Sequence, residues 1–144
     1  MRMFFGEFEY KIDEKGRVPI PPRFRSDLKA GLALLPGTEK CVIAYPLGEW
    51  KKLAEELTGG PVTRSKLRRL NRAIFATAFS RKIDGQGRIA LPPSLKKHAG
   101  IVDEVVIAGA NTYLEIWQKA LWESEKALSL EQSWQIIESL ERHQ

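Results

Sequence analysis

The chain has 144 residues, with 23 Lys and Arg against 18 Asp and Glu, for a formal charge of +5 at neutral pH. Hydrophobic residues make up 43%, which suffices for a packed core and excludes a disordered chain, while no apolar run reaches the roughly 18 residues of a membrane span. The single cysteine, Cys41, excludes an internal disulfide and a cysteine-based zinc site, and the opening residues lack the pattern of a secretory signal, so a cytoplasmic location is expected.

Taken in chain order, Phe4, Phe8, Tyr10 and Ile12 share one parity against Phe5, Glu7, Glu9 and Lys11, which predicts a strand. Asp13-Glu14-Lys15-Gly16 reads as a turn. Aspartate can bond the backbone ahead of it, and glycine can take the left-handed position that closes a hairpin with a bulge. Arg17-Val18-Pro19-Ile20 resumes a strand with Val18 and Ile20 inward and Arg17 outward, and Pro19 must face an unpaired edge or a bulge. Pro22 suits the start of a short helix and Gly31 its end. Cys41 to Tyr45 predicts an apolar strand. Trp50, Leu53 and Leu57 then recur at helical spacing, and Gly59-Gly60-Pro61 ends that helix.

A second helix is expected from about Thr63 to Phe75, with Leu67, Leu70 and Ile74 on its apolar face. Arg64, Arg68 and Arg72 lie four apart on another, where like charges repel unless water or an anion relieves them. From Pro61 to Ile83 there is no acid, against seven positive charges: Arg64, Lys66, Arg68, Arg69, Arg72, Arg81 and Lys82. The last helix is expected to begin near Ser129, where Ser129-Leu130-Glu131-Gln132 fits a capping box. Its broad apolar face of Trp134, Ile136, Ile137 and Leu140 must dock on its own chain or on a neighbour. The flank from Trp117 to Gln144 carries a charge of −2, opposite in sign to the central helix.

The order of elements repeats. Tyr10 to Pro22 recurs as Arg81 to Pro93 at a constant offset of 71, sharing Lys-Ile-Asp, Gly-Arg and Pro-Pro, and Phe4 and Phe8 match Phe75 and Phe79 at the same offset. Farther on, Cys41 to Tyr45 is matched to Val105 to Ala108, and Glu49-Trp50 to Ile116-Trp117 at an offset of 67. Two related modules follow: residues 1–60 and 75–123, joined by a basic helix over 61–74 and followed by a terminal helix over 124–144. Modules this small bury little surface alone, so one shared core is expected.

The duplicated Asp-x-x-Gly-Arg element, with Lys-Ile before it and apolar-x-apolar-Pro-Pro after it, resembles the MraZ family of tandem SpoVT-AbrB-type modules. The stretch Tyr45-Pro46-Leu47-Gly48-Glu49-Trp50 and the basic helix between modules extend the resemblance over nearly the whole chain. The resemblance implies a β-rich α+β fold: two swapped-hairpin AbrB-like modules forming one pseudo-two-fold β-barrel with short flanking helices. It also implies a closed ring of subunits that binds direct repeats in double-stranded promoter DNA of the division and cell-wall gene cluster, in a cytoplasmic, nucleoid-associated setting. Carried over by position, the DNA-contacting motif falls on Asp13, Gly16 and Arg17 and on Asp84, Gly87 and Arg88. In that reading Asp13 and Asp84 fix the turns, and Gly16 and Gly87 supply the backbone angle. Arg17 and Arg88 can fork to phosphate or to a guanine edge. Lys11, Lys15 and Lys82 flank them, and Arg64, Arg68 and Arg72 are candidate phosphate contacts. The second turn has Gly85 and Gln86 where the first has Glu14 and Lys15.

Two alternatives stand beside this reading. Each arginine can instead pair with the aspartate of its own turn, or with Glu9, and meet no ligand; the chain would then be an oligomeric scaffold or an antitoxin-like interaction module. An enzyme is not expected, nor a metal or other cofactor. His98 and His143 have no partner at ligand spacing, no glycine-rich phosphate loop occurs, and Asp13 and Asp84 sit beside cations that favour ordinary ionisation. Trp50 and Trp117 read as core anchors and Cys41 as a buried small hydrophobe.

Overall fold

A computed structural model describes residues 3–142, so His143 lies outside the described residues. Strand β1 (Glu7–Lys11) leads through the Asp13 turn into β2 (Arg17–Pro19). Two short 3-10 turns, Pro22–Phe24 and Ser26–Leu28, precede β3 (Leu32–Pro36) and β4 (Val42–Pro46). Helix α1 (Leu47–Gly59) and basic helix α2 (Arg64–Leu70) follow, and α2 widens into a π-helical turn over Asn71–Ala76. The scheme then repeats as β5 (Phe79–Arg81), β6 (Arg88–Ala90), α3 (Pro93–Ala99), β7 (Glu104–Gly109), β8 (Leu114–Gln118) and α4 (Lys119–Arg142). The result is an α+β fold.

The strands pair across the repeat. A six-stranded antiparallel sheet runs β1-β7-β8-β4-β3-β5, and β2 pairs only with β6 in a separate ribbon. Exchanging the halves turns the six-strand order into its own reverse. Two pairs are their own counterparts: Val18 opposite Ile89 in the ribbon, and Ile43 opposite Glu115 between β4 and β8. Each module therefore lends its first strand to the other's third: β1 lies on β7, and β5 on β3. The expected hairpins are corrected accordingly. Each turn reverses the chain, but the strands on its two sides belong to different sheets.

The core is shared. Val18, Ile20, Leu28, Leu32, Leu34, Val42, Ile89, Val105, Ile107, Leu114 and Ile116 form one buried cluster drawn from both modules. Side chains of this size contribute about 1.5–3 kcal/mol each on full burial, and the set is drawn from both modules. Phe24 wedges between Phe4 and Phe8 in edge-on contacts at 5.1 and 5.4 Å, sealing one end. Pro19 is tolerated because a two-stranded ribbon leaves each strand an unpaired edge.

Three expectations about the later part of the chain are corrected. Val105 to Ala108 belongs to β7, the counterpart of β3 and not of β4, because β7 and β3 each receive the first strand of the other module. Trp50 and Trp117 are not equivalent, since Trp50 lies in α1 and Trp117 in β8. The strand pairing gives an offset of 72 there, Ile43 matching Glu115, so Trp50 corresponds to Trp122. Finally, α4 starts at Lys119, ten residues before Ser129, with the Gln118 side chain accepting the N–H of Leu121 at 2.8 Å. Ser129 lies in mid-helix with its hydroxyl 3.4 Å from Glu125, because the helix continues directly out of β8 and needs no new start.

The second half of α4 is exposed on its apolar side: Leu130 63%, Trp134 71%, Ile136 57% and Leu140 63%. Among the described residues, the ion pairs that tie the helix to the sheet come from its first turns. Lys126 reaches Glu7 at 3.0 Å, and Lys119 reaches Glu104 and Glu9 at 3.2 and 3.4 Å. No helix among the described residues is long and apolar enough to cross a membrane.

Candidate nucleic-acid interface

The ribbon sets the two Asp-x-x-Gly-Arg turns side by side. Ile20 donates its N–H to the Gly87 carbonyl at 2.8 Å, and Leu91 donates to Gly16 at the same distance, so each turn is tied to the strand leaving the other. Inside the first turn, one oxygen of Asp13 accepts the N–H groups of Lys15 and Arg17, both at 2.9 Å. Its second oxygen holds Arg17 Nε at 2.7 Å. Asp84 does the same for the N–H groups of Gln86 and Arg88, at 2.9 and 3.0 Å, and for Arg88 Nε at 3.0 Å. The glycines adopt the left-handed φ that closes the turn, +76° at Gly16 and +78° at Gly87.

Both carboxyls are held below the usual carboxylate range, first by the backbone N–H of the following arginine and further by its side chain. The arginines thus pair with their own turn's aspartate, and Glu9 is engaged elsewhere, on Lys119. The pairing uses Nε. Within its own turn it fixes the guanidinium plane through Nε and leaves both terminal nitrogens of Arg17 and one of Arg88 for the fork that recognises phosphate or guanine, the other terminal nitrogen of Arg88 facing Asp13. Side-chain exposures of 31% for Arg17 and 24% for Arg88 leave both reachable.

The halves are not identical. Arg88 extends a terminal nitrogen to Asp13 at 3.5 Å across the ribbon, so Asp13 supports both arginines. Sequence reasoning missed Arg25. Its Nε donates to the Ile20 carbonyl at 2.9 Å, and its guanidinium lies against Gly87, where an added Cβ would stand 2.3 Å from Cζ. At Gly16 an added Cβ would meet only the Leu91 carbonyl, at 3.6 Å. The one sequence signal for Arg25 is that its counterpart at the offset of 71, Lys96, is also basic.

Lys11, Lys15 and Lys82 are exposed at the approaches to the turns. Arg64, Arg68, Arg69 and Arg72 are exposed as well, and among the described residues no hydrogen bond or ion pair ties them to either turn. Their helix is capped by Thr63, whose hydroxyl accepts the N–H of Lys66 at 3.3 Å, and it anchors beside α1 through Phe75, 5.0 Å from Trp50. His98 Nε2 lies 3.1 Å from each of the Gly37 and Glu39 carbonyls, and burial pushes the Cys41 thiol up to about 12, so the thiol is not a thiolate at neutral pH. Among the described residues no three His, Cys, Asp or Glu side chains cluster as metal ligands.

Comparison with known proteins agrees with the duplicated arrangement. The family described as "MraZ protein, putative antitoxin-like" matches residues 3–73 and again 74–138. A protein of Dehalococcoides mccartyi named transcriptional regulator MraZ is 64% identical over 98% of this chain and 100% of its own length. Proteins of the same name from Herpetosiphon aurantiacus and Lactobacillus delbrueckii subsp. bulgaricus are each 40% identical. The first match covers 85% of both chains; the second covers 96% of this chain and 97% of the relative. With both halves matched by the family and full-length relatives far above 30% identity, the chain belongs to the MraZ family.

Proposed function

We propose that this protein is a sequence-specific DNA-binding transcriptional regulator that reads double-stranded promoter DNA through Arg17 and Arg88. The observation that carries the reading is the paired, aspartate-locked presentation of two arginines on one ribbon. A guanidinium fixed through Nε has already lost most of its rotamer freedom, so less is lost when its terminal nitrogens fork onto a guanine edge or a phosphate. Lys11, Lys15 and Lys82 add charge around the turns, and Arg64, Arg68 and Arg72 extend it for contact with phosphates. The names of the relatives support regulation of transcription. The shared core and exchanged strands support the pseudo-two-fold, swapped-hairpin barrel of the AbrB type.

Assembly belongs to the same reading. The uncovered apolar side of α4, its acidic flank and the exposed cations of α2 favour a contact between copies in which α4 of one meets α2 of the next. A contact of that kind joins unlike surfaces and closes into a ring when the rotation allows. A ring carries many turns on one rim. It therefore engages direct repeats in the promoter of the division and cell-wall gene cluster with a strength no single turn has, in the cytoplasm on the nucleoid.

Each base-reading arginine is worth about 1–3 kcal/mol per engaged site. Gel shifts of Arg17→Ala, Arg88→Ala and the double variant, on DNA recovered by selection from genomic fragments and on its scrambled form, test the reading. Loss of discrimination in the variants is expected. Unchanged affinity in the double variant would leave an interaction module whose partner is not DNA. Light scattering on Trp134→Asp tests the assembly, with a fall to smaller species expected.

A further inference from the structure

Behind the second turn lies an open cleft of about 350 Å³, lined by Arg25, Lys29, Ile83, Asp84, Gly85 and Gly87. Two of its walls are cationic and come from the first module; its floor is the glycine-bearing turn of the second. The one carboxylate, Asp84, is already committed to the Arg88 side chain and to two backbone N–H groups. Gly85 has open space around the position of a Cβ, so nothing in the turn shields the floor. Arg25 is preset: Nε is fixed on the Ile20 carbonyl and the guanidinium rests on Gly87.

We propose that this cleft is a seat for one DNA backbone phosphate, with Arg25 as its main ligand and Lys29 as its second charge. The inference rests on the reading that Arg88 contacts the duplex. Base-edge contacts are held in register by phosphate contacts beside them, and a cation-lined cleft adjoining the Arg88 turn meets that need. Glycine at 85, exposed and with nothing around the position of a Cβ, lets a sugar-phosphate backbone approach the turn closely. The first turn lacks these features. Its counterpart of Gly85 is Glu14, which repels phosphate, and no arginine lies against Gly16. The second turn is therefore the one that clamps the backbone.

The test measures affinity against salt concentration for the full-length protein, using a selected genomic duplex and a random-sequence duplex. Each phosphate contact contributes about 0.9 to the slope of log K against log salt. Arg25→Ala is expected to lower that slope by at least this amount on both duplexes and to weaken binding roughly tenfold at low salt, the scale of one charged hydrogen bond. Arg25→Lys should restore most of the slope. Gly85→Glu, which writes the first turn's residue into the second, removes no existing contact and should weaken binding to both duplexes alike. Circular dichroism and light scattering verify that each variant keeps its fold and assembly. An unchanged slope in both Arg25→Ala and Gly85→Glu overturns the seat while leaving the arginine reading intact if Arg88→Ala still loses discrimination. If the Arg17→Ala, Arg88→Ala double variant binds normally, both readings fall.

Discussion

Between the two turns, Asp, Gly and Arg are the same, and so are the three hydrogen bonds that each aspartate makes. What differs is the surroundings. The second turn is braced by Arg25 from the other module and sends Arg88 across to Asp13; the first has no arginine against its glycine and carries Glu14 and Lys15. Local sequence reproduces a local motif twice, whereas the surroundings of each copy come from strand exchange. Equal motifs therefore need not be equally rigid or equally charged, and substitutions can measure the inequality.

The largest effect is expected beneath the turns, where the copies are most alike. Val18 and Ile89 face each other on the ribbon's symmetry point and are 0% and 1% exposed. Ile89→Ala should cost about 2–5 kcal/mol in urea unfolding, with Val18→Ala less in proportion to the atoms removed. Because the core is shared, both variants should unfold in a single transition; two resolved transitions would show that the modules are energetically separate.

Next come the glycines. Gly16→Ala forces a side chain into the left-handed region, at about 1–2 kcal/mol. Gly87→Ala carries the same strain and must also push Arg25 aside, since the new Cβ would stand 2.3 Å from its guanidinium carbon. It should be the more destabilising of the two in urea midpoints, and the difference should vanish in an Arg25→Ala background. An excess cost of Gly87→Ala that is the same in the Arg25→Ala background and in the natural protein would remove the brace from the comparison.

A smaller contrast concerns the aspartates. Asp13 supports both arginines and Asp84 only Arg88, so Asp13→Ala should lower DNA affinity more than Asp84→Ala when both are measured by anisotropy on one duplex. The least change is expected from mild acid. Both carboxyls titrate below their ordinary value of 3.8, so their contribution is fully present above that value and is lost as pH falls below it through the lowered folded value. Turn amide resonances should stay fixed from neutral pH to about pH 5, above the ordinary carboxylate range, and shift only below about 4. Movement at pH 6 would mean that the carboxylates are not held as described.

Much of the site was legible because it is local. Asp13 reaches amides two and four residues ahead, and glycine at position 16 follows from the turn it must close, so spacing alone predicts the geometry. Alternation told which face of β1 is inward and that Arg17 opposes Val18. It could not tell which strand β1 would lie on, because parity assigns a face and not a partner. That gap produced the mismatch of Val105–Ala108 with β4 and of Trp50 with Trp117, both settled only by the pairing register. The start of α4 was misread because a plausible cap at Ser129 competed with a helix already propagating from Lys119, where one more residue costs little.

The duplication, the two Asp-x-x-Gly-Arg turns, the acid-free basic stretch and the need for a common core were readable from the amino-acid sequence, whereas the pairing of each arginine with its own aspartate was not. Those follow from composition and from interactions a few residues long. The tertiary structure alone decided that each module completes the other's sheet, that Arg25 lies on a turn 62 residues away, and that the apolar end of α4 leaves the body uncovered. Contacts between distant segments depend on how whole surfaces fit once the core closes, and no short-range pattern encodes that choice.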